Sequence, residues 1–175
     1  MLPPDRLQWF AVQVVPQHEC KVSMQLHYKG HEEFLPTLPI RRQWSDRSKV
    51  TKQPLFPGYV FCRIRRAEFG VILTTPGVYR IVSFGGHAQP IGEEEIISLQ
   101  RAVDSGRDIC AVPFFSPGQK VHVTSGPLSG LTGVVARLKN RDRLVISVEL
   151  LLRSVAVEIA NSEITPYNSI AALTT

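Results

Sequence analysis

Three consecutive carboxylates, Glu93-Glu94-Glu95, are the first place to look for acid–base chemistry in this chain. They run directly into Ile96, Ile97, Leu99, Gln100 and Val103, which recur at helical spacing. Acidic residues in a first helical turn complement the helix dipole, and that role explains them more simply than a catalytic pair. The five histidines, His18, His27, His31, His87 and His122, form no HExxH. His27 and His31 stand four apart, but Gly30 falls between them at a helix end. No P-loop is present, and Gly85-Gly86 lacks the GxGxxG context of a dinucleotide site. Cys20, Cys62 and Cys110 are odd in number, widely spaced and without a CxxC pair. They therefore read as reduced thiols rather than as a disulfide framework or a zinc site. The expectation is a protein with no catalytic residues, no metal and no cofactor.

Recognition chemistry is better represented. Tyr59 and Phe61 lie two apart, so a strand points both to one face, either into the core or outward as aromatic anchors. Arg41, Arg42, Arg47, Lys49 and Lys52 form one basic cluster, and Arg63, Arg65 and Arg66 another. Each is either a solvated face or a salt-sensitive contact with phosphates. Thr74 and Thr75 fall at a helix end, where hydroxyls satisfy local backbone groups. Leu150-Leu151-Leu152-Arg153 cannot place three successive leucines on one side of a strand, so at least one is exposed or covered by something else.

The elements that must carry these residues are legible in outline. Trp9 to Val15 is apolar and β-branched, and Pro16 ends it, which predicts a buried strand. His18 to Gly30 reads as a helix, and Phe34 to Trp44 as an extended stretch. Ser45 to Gln53 reads as a hairpin tip or loop. Pro54 to Ile64 reads as a turn running into a strand rich in aromatic and β-branched residues; Ala67 to Thr74 makes a short helix, and Gly77 to Phe84 another strand. Residues 105–116 lack periodicity and read as a linker. Beyond them Val121, Val123, Val134, Val135, Leu144, Ile146, Val148, Val155, Val157 and Ile159 mark short strands, which predicts a small all-β barrel.

Composition sets wide bounds. The chain has 175 residues, 43% hydrophobic and 20% charged, a globular balance with room for two small domains. No apolar run approaches the ~18 residues of a membrane span, and the first residues carry no signal-peptide pattern, so the expectation is a soluble cytoplasmic protein. A formal charge of +5 and a pI near 9.4 favour nucleic acid or acidic protein surfaces only weakly.

The segment from Pro117 to Val135, with Gly126-Pro127, Gly130 and Gly133, resembles a KOW motif. Trp9, Pro54-Leu-Phe-Pro-Gly-Tyr-Val-Phe61, Thr75-Pro-Gly-Val78, Phe84-Gly-Gly86 and Pro90-Ile91 together resemble the NGN domain of the NusG family, and the two likenesses span about residues 8–167. The resemblance implies an α+β NGN-like domain with an antiparallel sheet over 1–104, a linker over 105–116, an SH3-like KOW barrel over 117–167 and a tail over 168–175. It implies a monomeric elongation or antitermination factor, associated with the nucleoid through RNA polymerase. The Pro54–Phe61 and Thr75–Val78 segments look more like the specialised UpxY/RfaH-type antiterminators than the housekeeping factor. Gln13, Leu55, Phe56, Tyr59 and Phe61 would then receive the coiled coil of the polymerase clamp, while Thr74 and Thr75 would touch the opposite side of the cleft. The basic cluster from Arg41 to Lys52 would meet upstream or non-template DNA. Leu150, Leu151, Leu152 and Arg153 would contact Rho or a small-subunit ribosomal protein. The alternative is a KOW-containing, ribosome-associated RNA-binding protein.

Overall fold

The computed structural model describes residues 6–44, 47–113, 119–138 and 141–167, which divide into two compact units meeting at Ile96/Ile97. The first opens with β1 (Gln8–Val14), whose apolar residues are almost all buried, and α1 (Glu19–Tyr28), which turns Val22 and Leu26 inward. β2 (Glu32–Phe34), β3 (Thr37–Trp44), β4 (Arg47–Pro54) and β5 (Tyr59–Ile64) follow, then a 3-10 turn and the short α2 (Phe69–Leu73). β6 (Val78–Ile81), β7 (Ser83–Phe84), β8 (His87–Ala88), β9 (Pro90–Ile91) and α3 (Glu93–Asp104) complete the series, α3 running across the division between units.

The main sheet is antiparallel, in the order β2-β5-β1-β6, with β9 also on β1. Strand alternation sends Phe10, Val12 and Val14 of β1 and Val60, Cys62 and Ile64 of β5 to one face. There they pack with Val22 and Leu26 of α1, Ile72 of α2 and Ile81 of β6. Burial, reinforced by the nearby carboxylate of Glu33, pushes the Cys62 thiol up to about 12, so it is an inert core group. All three cysteines are free.

One element differs from its sequence reading. Arg47–Pro54, expected as a hairpin tip or loop, is the strand β4, pairing with β3 from Thr37↔Pro54 to Trp44↔Arg47. β4 pairs with β3 alone and carries a single aliphatic residue, Val50, which is exposed, so hydrophobic alternation cannot reveal it.

The second unit is all β beyond α3. β10 (Ile109–Pro113), β11 (Gln119–Val123), β12 (Thr132–Leu138), β13 (Arg141–Val148), β14 (Arg153–Glu158) and β15 (Ile164–Pro166) form one six-stranded antiparallel sheet, ordered β10-β14-β13-β12-β11-β15. Leu144 and Ile146 oppose Val157 and Val155, and all four are buried with Val121, Val123 and Val148. Gly133 opposes Val121, and a Cβ there would meet Leu144 Cδ1 at 2.8 Å and the Val145 carbonyl oxygen at 2.9 Å. Its role is to let β13 pack closely, as the KOW-like pattern suggests. The linker expected over 105–116 is corrected in part: Ile109–Pro113 is the edge strand β10, in register with β14 from Ile109↔Val157 to Pro113↔Arg153. An edge strand needs only one paired side, and this short one, ending in proline, carries too few alternations to betray itself. Residues 114–116 and the tail from 168 lie outside the described residues.

Ahead of β10, Arg107 closes a fork on Glu163, with Nη2 to Oε1 at 2.6 Å and Nη1 to Oε2 at 2.8 Å. The Ala160 N–H also donates to Glu163 Oε2, at 3.0 Å. The Arg107 side-chain hydrogen bond, helped by that backbone donor, holds the Glu163 carboxyl below its ordinary value of 4.5. A depressed folded-state pKa means that the stabilisation is present above the unfolded-state value and is lost as pH falls through the folded-state one. Thermal melts should therefore show the parent chain losing more stability than Glu163→Gln as pH drops below about 4.5. Equal acid sensitivity in the two chains would show that the fork contributes nothing.

Candidate functional site

The face of the first sheet opposite α1 and α2 carries the residues singled out by their chemistry. The turn at Pro57-Gly58 launches β5, and Gly58 holds φ +85°, a left-handed conformation that favours glycine. Its N–H donates to Glu19 Oε1 at 2.7 Å, so a buried carboxylate at the start of α1 fixes where β5 begins. From there the register is set: Gln13 opposes Tyr59 on β5 and Arg80 on β6, and Ala11 opposes Phe61. Phe34 of β2 lies opposite Phe61 on its other side.

Two rows result. The inner row is aromatic and closed. Phe61 is 0% exposed, stacked on Phe34 at 6.1 Å and edge-on to Phe56 at 5.5 Å. Leu55 and Phe56 are buried beside it. The reading of Phe61 as an outward aromatic anchor is therefore corrected, because rings of its own unit cover it. Leu55 and Phe56 likewise present no side-chain surface. The outer row, Tyr59–Gln13–Arg80, is polar and open. Tyr59 and Gln13 are half-buried, Arg80 is exposed, and Arg80 Nε donates to Gln13 Oε1 at 2.7 Å.

Arg80 was not among the residues singled out in the sequence, yet a signal was there. Val78 and Ile81 are both apolar but three apart, out of phase for a regular strand. The structure resolves the mismatch with a β-bulge: Val12 opposes Ile81 and Gln13 opposes Arg80, but Val14 opposes Val78, leaving Tyr79 as the extra residue. Tyr79 is thereby turned outward and is 70% exposed.

Thr74 and Thr75 close α2. The Thr74 hydroxyl donates to the carbonyl oxygens of Gly70 and Val71, at 3.0 and 3.1 Å, and remains exposed. Thr75 is buried, donating to the Val71 carbonyl at 3.0 Å and accepting from Lys29 Nζ at 2.7 Å. Thr75 therefore offers no free surface, and helix-end capping accounts for both hydroxyls.

In the basic ribbon, the backbone register sets Arg42 opposite Lys49 and Trp44 opposite Arg47. Lys52 is exposed; the side chains of Arg41, Arg42, Arg47 and Lys49 lie outside the described residues. In the second unit Glu149–Leu151 form a 3-10 turn between β13 and β14. Leu150, Leu151 and Arg153 are half-buried, and Leu152 stands 66% exposed with a left-handed φ of 49°. The run of leucines does leave one in solvent. Among the described residues no group of three or more His, Cys, Asp or Glu side chains is placed to hold a metal ion.

These features describe an α+β unit with an antiparallel sheet, followed by an all-β unit of KOW type. The model of the family described as "Transcription termination factor nusG" matches residues 7–100, more than half of the chain, and the chain belongs to that NusG family of transcription termination/antitermination factors. Among similar proteins, the transcription termination/antitermination protein NusG of Yersinia pestis is 27% identical, covering 94% of this chain and 98% of its own. NusG of Lactococcus lactis is 26% identical, covering 86% of this chain and 88% of its own. A solved structure of Thermotoga maritima NusG, 23% identical, covers 93% of this chain and 98% of its own with a TM-score of 0.51, a likeness of fold.

Proposed function

We propose that this chain is an elongation or antitermination factor that binds RNA polymerase through its first unit, suppresses pausing or termination, and recruits a second machine through its KOW unit. The observation that carries the reading is the outer row Tyr59–Gln13–Arg80, an open polar strip bordering a closed aromatic one. A strip of this kind suits a helical protein partner such as the clamp coiled coil, because the aromatics beneath keep it rigid while the polar groups give direction. Leu55, Phe56 and Phe61 act from below, by shaping the surface. Thr74 is the exposed member of its pair for a contact across the polymerase cleft. The ribbon from Arg41 to Lys52 meets upstream or non-template DNA through phosphates. Leu152, with Leu150, Leu151 and Arg153 around it, meets Rho or a small-subunit ribosomal protein.

The mechanism is a population shift. A factor that binds the closed, pause-resistant polymerase more tightly than the paused one moves the equilibrium toward elongation by that difference alone. We assign the chain to the specialised UpxY/RfaH-type branch and to the cytoplasm, at the nucleoid with polymerase; among the described residues no helix is long and apolar enough to cross a membrane. The test is direct binding of the purified chain to core RNA polymerase, with a ribosomal RNA fragment in parallel and an elongation assay on a pausing template. Saturable binding to polymerase with shortened pauses is expected. Leu152→Ser should leave that binding intact while removing the KOW partner from pull-downs. Binding to the RNA and not to polymerase would overturn the proposal in favour of a ribosome-associated protein.

A further inference from the structure

We propose that Arg80 is the specificity-determining residue of the outer row, taking one carboxylate of an acidic protein surface on the outer edge of its guanidinium. The inference rests on the proposed binding of the first unit to RNA polymerase and assigns the chemistry of that contact.

Three observations carry it. The bulge comes first. Were β6 regular, Val14 would oppose Tyr79 and the tyrosine would point into the core; the extra residue instead puts Val78 inward and leaves Tyr79 outward beside Arg80. Bulges re-aim side chains in this way at binding sites and sheet edges.

The second observation is the aiming of the guanidinium. Its Nε is held by Gln13 Oε1 at 2.7 Å, and among the described residues nothing pairs with Nη1 or Nη2. An arginine fixed through Nε has lost part of its rotamer freedom and keeps a pair of donors that can meet a carboxylate.

The third observation is the contrast with other cations of the same unit. Arg63 is paired to Glu32 at 3.2 Å and Glu93 at 3.0 Å. Arg66 lies over the rings of Phe10 and Phe69 and donates to the Ala88 carbonyl. Lys29 is spent on Thr75 and the Val71 carbonyl. Those cations hold the unit together, whereas Arg80 is tethered to a neutral amide and faces outward.

A protein carboxylate fits better than a phosphate backbone. Nucleic-acid affinity comes from several cations acting along a polyanion, and the row supplies one. Its neighbours, Tyr59 and the outward Tyr79, are the amphipathic aromatics that protein interfaces favour around a charged anchor.

The experiment measures binding of the full chain to core RNA polymerase, and to a DNA duplex, at low and moderate salt. The variants are Arg80→Glu, Arg80→Lys and Gln13→Ala, with thermal melts of each. Arg80→Glu should weaken polymerase binding about tenfold or more, because reversal places like charges in contact. Arg80→Lys should fall between it and the parent, since an ammonium lacks the fork, and Gln13→Ala should lose a smaller factor by releasing the guanidinium. Melting temperatures should stay near the parent's. Should Arg80→Glu melt early, Arg80→Lys, which keeps the charge, decides the matter. Unchanged polymerase affinity in Arg80→Glu would overturn the inference while leaving the proposed function standing. Loss confined to the DNA duplex would overturn it in favour of a phosphate contact. A parent chain that does not bind polymerase would remove both.

Discussion

Phe61→Ala is expected to unfold the first unit at moderate temperature, and any loss of polymerase binding should follow from that unfolding. The ring is wholly buried against Phe34 and Phe56, so truncation opens a cavity and costs about 3–5 kcal/mol. A domain of this size holds only about 5–15 kcal/mol in all. Tyr59→Ala, two residues back on the same strand face, should behave in the opposite way. Tyr59 is half-buried, so its truncation should leave the melt close to the parent's and lower polymerase affinity. The paired measurement is a thermal melt and a binding isotherm for each variant. Normal melting of Phe61→Ala with a sharp loss of binding would show that Phe61 is a contact residue and that its burial is relieved when the partner arrives.

That contrast marks how far the sequence could be read. Spacing placed Tyr59 and Phe61 on one strand face, and the register agrees, since Gln13 and Ala11 receive them in turn on β1. What spacing cannot say is which part of a face is covered. Phe34 sits on β2 and Phe56 in the preceding turn, and neither is brought over Phe61 by any local pattern. Helix ends and strands with apolar periodicity were legible: β1, α1, β5 and α3 lie close to their predicted positions. β4 and β10 were not: β4 carries a single aliphatic residue, Val50, which is exposed, and β10 is five residues long and ends in proline, too short for its apolar side to show a period. Arg80 belongs to a third kind. Its role depends on the one-residue slip between Val78 and Ile81, visible as broken alternation but interpretable only with β1 alongside.

The second large effect is expected in the other unit, around Arg143. This arginine lies on β13 with its side chain 5% exposed, and its Nε is buried without a hydrogen-bond partner. Its Nη2 meets Asp108 Oδ2 at 2.6 Å, while Nη1 donates to the Asp108 carbonyl oxygen at 3.2 Å and the Ala156 carbonyl oxygen at 3.5 Å. Asp108 immediately precedes β10, so the pair ties the edge strand's start to the middle of the sheet. Removing one partner of a buried pair leaves the other charge without compensation, whereas replacing the buried ion by an apolar side chain of similar length removes the problem altogether. Asp108 is 64% exposed, so water screens its half of the pair and the full cost of a buried charge does not apply. Asp108→Ala should therefore lower stability by about 2 kcal/mol, and Arg143→Met by less than about 1 kcal/mol or not at all. The order of the two effects is the test, read by denaturant melts of the full chain with a probe in the second unit. If Arg143→Met is the more damaging, the guanidinium's carbonyl contacts outweigh its desolvation, and the arginine is a structural brace whose orphaned nitrogen costs little. If Asp108→Ala is the more damaging, the carboxylate is what makes the buried charge tolerable, and the sheet would accept its removal only together with the arginine's.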